Sequence, residues 1–75
     1  MTNKTLNELK VGCKSTIINI IASKETKRRL QDLGFIKGSN VEAVLISPLG
    51  EPTAYKIKGT VIALRAEEAL KIQIE

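Results

Sequence analysis

The chain has no histidine and no tryptophan, a single cysteine, and only two aromatic residues, Phe35 and Tyr55. Without histidine it lacks the commonest general base and the commonest transition-metal ligand. Cys13 has no imidazole to activate it, no second cysteine to bridge to and no companion thiolates for a zinc site, so it reads as an ordinary small residue. Two aromatics, both expected in the core, leave no stacking platform of the kind that nucleic-acid-binding barrels use. No apolar run approaches the ~20 residues of a membrane span; runs such as Ala43-Val44-Leu45-Ile46 stop at four residues. The opening Met1-Thr2-Asn3-Lys4-Thr5 has no apolar stretch of a secretory signal. These absences predict a cytoplasmic protein with a reduced thiol, and no enzyme.

The carboxylates do not fill the gap. Glu67 and Glu68 are adjacent and diverge on either a helix or a strand. Glu25 and Asp32 are seven apart and share at most a solvated helix face. Calcium and magnesium loops space their acids more densely. No metal site and no cofactor are expected. Gly34-Phe35-Ile36-Lys37-Gly38 is no phosphate cradle either, because it follows a helix, whereas phosphate loops precede one.

What is present is 75 residues, 43% of them apolar, enough for an ordered fold but only a small core. One domain over residues 1–75 is expected. The net charge of +4 is uneven. Residues 1–37 carry eight cations against three acids, and residues 38–75 carry four against five. A basic first half suits an acidic protein surface, an anionic lipid face or nucleic acid, and does not choose among them.

Thr5 with Glu8 three residues on fits a capping box, and Leu6 and Leu9 then fall on one helical turn. The β-branched run 15–21 reads as a strand, with Ile18 and Ile20 on one face and Ile17 and Ile21 on the other. Residues 24–33 form the one convincing helix. Ser23 caps it, Glu25 suits its first turn, and Thr26, Leu30 and Leu33 share a face. Gly34 suits the left-handed position past its end, with Phe35 folding back on Leu30. Further strands are expected over Val41–Ile46 (Val41, Ala43 and Leu45 on one face), Thr53–Lys58 (Tyr55 and Ile57 inward) and Thr60–Leu64. After one helical turn over Ala66–Ala69, Leu70, Ile72 and Ile74 alternate as a last strand. Five short strands and tight turns predict a mainly β fold: a small antiparallel barrel, closed or nearly so, with one short inserted helix.

Two features suggest contact with a partner. Lys27-Arg28-Arg29 is the densest basic run. The loop Pro48-Leu49-Gly50-Glu51-Pro52 carries a large apolar residue, Leu49, that either folds back over the barrel end or stands exposed as a docking residue. The residues alone therefore lead to a small binding module.

Two stretches carry a resemblance. One is Leu30-Gln31-Asp32-Leu33-Gly34-Phe35-Ile36-Lys37-Gly38-Ser39-Asn40-Val41. The other runs from Pro48-Leu49-Gly50-Glu51-Pro52 through Tyr55-Lys56-Ile57-Lys58-Gly59 and Ile62-Ala63-Leu64-Arg65 to Glu68-Ala69. With Leu6-Asn7-Glu8-Leu9-Lys10-Val11-Gly12 before them, they resemble the ferrous iron transport protein A (FeoA) family over about residues 5–75. The resemblance implies an SH3-like barrel. It also implies an accessory role beside FeoB, a ferrous iron transporter with a cytosolic GTPase domain, by protein–protein contact, with modulation of its GTP hydrolysis as a further expectation. The chain departs from the family's habit in having Glu51 where Asp is commoner and Lys58 where Arg is, the latter losing a forked guanidinium. The expected contacts are Lys27, Arg28 and Arg29, with Pro48, Leu49 and Gly50 in the loop. Arg65 is left with two roles: pairing with Glu67 or Glu68, or facing the partner. The alternatives are a small nucleic-acid-binding barrel, which a steep salt dependence would betray, and a regulatory barrel; weak self-association through an edge strand is left open.

Overall fold

A computed structural model describes residues 4–75; Met1, Thr2 and Asn3 of the opening stretch lie outside the described residues. The elements in order are β1 (Lys4–Thr5), a 3-10 turn (Leu6–Glu8), β2 (Lys14–Ile20), α1 (Lys24–Asp32), β3 (Asn40–Ile46), β4 (Thr53–Ile57), β5 (Thr60–Leu64), α2 (Ala66–Ala69) and β6 (Ile72–Ile74). The strands form one antiparallel sheet in the order β1-β6-β2-β3-β4-β5. It curls around a core of Leu6, Ile17, Leu30, Phe35, Tyr55, Ile57, Leu64, Ile72 and Ile74, all nearly or fully buried. The expected mainly β architecture with one inserted helix is what forms. The count differs by one strand, because Lys4 and Thr5 pair with Ile74 and Gln73 as a two-residue β1.

Local chemistry explains most boundaries. The Ser23 side chain accepts the Thr26 N–H at 3.3 Å, capping α1. At the other end the Phe35 N–H donates to the Leu30 carbonyl and the Gly34 N–H to the Gln31 carbonyl, both at 3.0 Å. That is a Schellman closure, and it needs the left-handed Gly34 (φ +112°). It also buries Phe35 beside Leu30. At the start of the chain the Glu8 carboxylate accepts the Thr5 N–H at 2.7 Å. These contacts with Thr5 hold the Glu8 carboxyl below its ordinary range.

Four expectations about faces are corrected. In β2 the buried pair is Ile17 and Ile20, three apart, because the pairing with β6 shifts register between Ile17 and Asn19. In β3, Val41 and Ala43 are buried but Leu45 is 65% exposed, because the register with β4 shifts between Ala43 and Leu45. An inserted residue reverses the alternation on which both assignments rested. Leu33 caps the C-terminus of α1 and stands partly in solvent instead of on the core face. Leu70 does not belong to the last strand: it is the helical C-cap of α2 and is largely exposed.

Candidate functional site

The β3–β4 connection is a tight hairpin. The Gly50 N–H donates to the Ser47 carbonyl at 2.8 Å, and the Ser47 N–H donates to the Pro52 carbonyl at 3.2 Å. Pro48 and Leu49 occupy the two central turn positions, where proline's fixed φ suits the first. Leu49 does not fold back over the barrel end; it is 93% exposed. Pro48 and Gly50 are exposed beside it.

The hairpin is braced from below. The Glu51 Oε1 accepts the Ala66 N–H at 3.0 Å, the first amide of α2. One residue earlier, the Arg65 N–H donates to Glu68 Oε1 at 3.1 Å. The other oxygen of Glu68 pairs with the Arg29 guanidinium. One chain of contacts therefore runs from the hairpin through the start of α2 to α1. It brings three of the expected elements together: the Pro48–Pro52 loop, Arg65 and Arg29.

The cations are not equivalent. Arg29 is committed to Glu68, the one ion pair among the described residues. Arg65 uses its backbone on Glu68, while its guanidinium is exposed and makes no ion pair among the described residues. Lys27 and Arg28 lie exposed on α1 without a carboxylate partner among the described residues. The role of Glu51 was missed in the sequence, and Glu68 was expected only as a side-chain partner of Arg65, not as the acceptor of its N–H and the partner of Arg29. Glu68 does stand three residues after Arg65, at capping-box spacing, but arginine cannot accept a hydrogen bond and so hides the pattern.

Also missed is an apolar strip on the outer face of β3–β4–β5. The register aligns Leu45 with Ala54 and Ala54 with Ala63. Val61 lies two residues from Ala63, and Leu45 and Val61 are each about 60% exposed or more. On the neighbouring outer face a polar groove is lined by Lys14, Thr16, Asn40, Glu42, Lys56 and Lys58. Its lysines are interleaved with Glu42 and no aromatic side chain lines it, an arrangement unlike a nucleic-acid groove. No three Cys, Asp or Glu side chains converge to hold a metal ion among the described residues. Tyr55, beneath this face, has its phenol pushed above the ordinary value of 10.0 by burial. Its hydroxyl donates to the Leu6 carbonyl at 3.4 Å.

The comparisons agree on one family. The FeoA domain model matches residues 4–75. A Fe(2+) transport protein A of Campylobacter jejuni is 39% identical over 70 residues, spanning 93% of this chain and 95% of that one. A Fe(2+) transport protein A/Fe(2+) transporter FeoB fusion protein of Porphyromonas gingivalis is 31% identical over 70 residues; the match covers 93% of this chain and 8% of the fusion. Among solved structures, Stenotrophomonas maltophilia FeoA complexed with zinc, described as an SH3 domain protein, superposes with a TM-score of 0.85 at 33% identity. That superposition covers 96% of this chain and 89% of the other. The SH3-like barrel is thereby the fold of this chain.

Proposed function

The chain belongs to the FeoA family, and from that premise we propose that it is a non-enzymatic accessory protein of ferrous iron uptake that docks on the cytosolic side of a FeoB-type transporter. The observation that carries the docking surface is Leu49, a large apolar side chain held almost wholly in solvent at the tip of a braced hairpin. An apolar residue presented in this way gains most by burial against a partner. The fusion protein of P. gingivalis supports the choice of partner, since joining two chains raises the effective concentration of one for the other.

In this reading Leu49 is the anchor and Pro48 and Gly50 shape its turn. Arg65, Lys27 and Arg28 supply attraction to an acidic surface. Arg29 contributes less, because Glu68 already neutralises it. Modulation of the GTPase by an arginine supplied in trans falls to Arg65 or Arg28, whose guanidinium groups make no ion pair among the described residues. The protein itself does no chemistry and acts in the cytoplasm.

The test is a calorimetric titration of the protein into the transporter's cytosolic GTPase domain, with and without a GTP analogue. Nucleotide-dependent binding supports regulation of the GTPase cycle, and hydrolysis assays with Arg65→Ala and Arg28→Ala then locate the contributing arginine. No binding to the GTPase domain in either state and none to the full transporter in detergent would sink the proposal.

A further inference from the structure

The β4–β5 hairpin decides which backbone groups of β5 are free. Lys58 (φ +50°) and Gly59 (φ +79°) form a two-residue turn of the I′ type. Ile57 and Thr60, which flank it, are the closing hydrogen-bonded pair. The pairing alternates from there, so Tyr55–Ile62 and Thr53–Leu64 are bonded pairs as well. The N–H and C=O groups of Val61 and Ala63 therefore point away from β4, toward the open edge of the sheet. Strand β5 ends the sheet order, and no backbone hydrogen bond outside the ladder engages it among the described residues.

Natural edge strands are guarded by charge, proline or bulges. Thr60-Val61-Ile62-Ala63-Leu64 has no charge and no proline, and its ladder with β4 is unbroken. The outer face beside it is the apolar strip of Leu45, Ala54, Ala63 and Val61. An added strand would lay alternate side chains next to Val61 and Ala63 and continue that strip. We propose that β5 is a β-augmentation site that takes an extended segment of a partner polypeptide, apolar at alternate positions and acidic at both ends.

The charges select this occupant over a second copy of the chain. Lys58 precedes β5, Arg65 follows it, and Lys56 faces outward opposite Val61. Two copies paired antiparallel about Ile62 would set Arg65 of one beside Gly59 of the other, next to its Lys58, and would do so at both ends. Like charges so placed oppose pairing, whereas acidic flanks favour it. The recognition mode is main-chain bonding for affinity, with alternate side chains for specificity. The inference goes beyond the transporter reading, because it specifies the form of a partner segment and not which protein carries it.

The probe is a peptide with blocked ends, Asp-Glu-Val-Thr-Val-Thr-Val-Glu-Asp, titrated into the full-length 15N-labelled protein. A second peptide carries lysine in place of each acid. The expected result is that the Val61 and Ala63 amides shift and their hydrogen exchange slows, and that the lysine-flanked peptide binds about tenfold more weakly. Ala63→Pro removes an N–H that faces the open edge, so it should spare the β4 ladder and abolish binding. Should that variant misfold, Val61→Lys guards the edge with charge and should also abolish binding. Equal binding of both peptides, or shifts confined to Leu49 and α1, would overturn the proposal. Concentration-dependent shifts of Val61 and Ala63 without peptide would overturn it in favour of a second copy. Leu49→Asp should leave peptide binding unchanged, so failure here is separable from failure of hairpin docking.

Discussion

Leu49→Asp is the sharpest test of the docking hairpin, because its effect on folding and its effect on binding should part company. Leu49 is 93% exposed, so replacing it removes almost no packing in the free protein. Surface changes of this kind stay within about 0.5 kcal/mol, which for a domain of this size moves Tm by roughly 2–4 °C or less. In the complex the accounting reverses. Fully burying a leucine side chain contributes ~1.5–3 kcal/mol, or roughly ten- to 150-fold in Kd. Aspartate loses that and adds the cost of a desolvated carboxylate. Calorimetry against the transporter's GTPase domain should therefore rank affinity as wild type, then Leu49→Ala, then Leu49→Asp. Leu49→Ser separates loss of apolar area from gain of charge. Leu49→Asp binding within about twofold of wild type, with unchanged Tm, would place Leu49 outside the interface.

Other outcomes follow from single contacts. Gly34→Ala should cost about 1–2 kcal/mol in chemical denaturation, from the left-handed backbone alone. A Cβ there would sit 3.7 Å from Ile57, an ordinary contact, so a much larger loss would show that the space argument is wrong. Glu68→Gln keeps an oxygen for the Arg65 N–H but ends the ion pair with Arg29, which is half exposed. It should cost at most about 0.5 kcal/mol and nothing measurable in high salt, whereas Glu68→Ala should cost roughly 1 kcal/mol more by losing the cap. Tyr55 is the only tyrosine, so phenolate absorbance reports it without overlap. Burial raises its pKa, so the folded protein holds a proton that the unfolded chain loses. Its contribution to stability is intact below pH ~10 and is lost as pH rises through the raised value. Titration at or below the ordinary value would contradict the burial.

The sequence was most legible where one local rule sufficed. Ser23 and Gly34 announce both ends of α1, and the alternation of Tyr55 and Ile57 announces the inner face of β4. It misled where a residue is inserted into a ladder. Period-two reasoning put Leu45 inside with Val41 and Ala43, and a register shift after Ala43 puts it outside. The same cause pairs Ile17 with Ile20. Nothing in the local residue types marks either shift, because each is a property of two strands together. The site divides in the same way. An apolar residue in a proline-bounded loop could be read as a docking candidate. The Glu51–Ala66 and Glu68–Arg29 contacts could not, since they join residues 15 and 39 positions apart. Only the topology brings them together, and it decides that Arg29 is occupied while Arg65 is free.

That topology makes Glu51 testable as a brace distinct from a contact. The hairpin tip is a short loop, and a loop that must be ordered on binding forfeits part of the energy its anchor gains. If the hairpin docks as proposed, Glu51 should limit this loss, since it holds the hairpin base to the first amide of α2. Glu51→Ala should cost about 1 kcal/mol of stability through the released amide. It should also weaken transporter binding several-fold, roughly 0.5–1.5 kcal/mol, with the loss in the entropy of binding. Glu51→Gln, which keeps an acceptor at the same position, should restore most of both. Backbone relaxation at Leu49 and Gly50 would register the loosened hairpin directly. If Glu51→Ala loosens the tip by that measure and affinity is unchanged, bracing is irrelevant to docking. If Gln fails to rescue while the tip stays ordered, the Glu51 charge touches the partner itself.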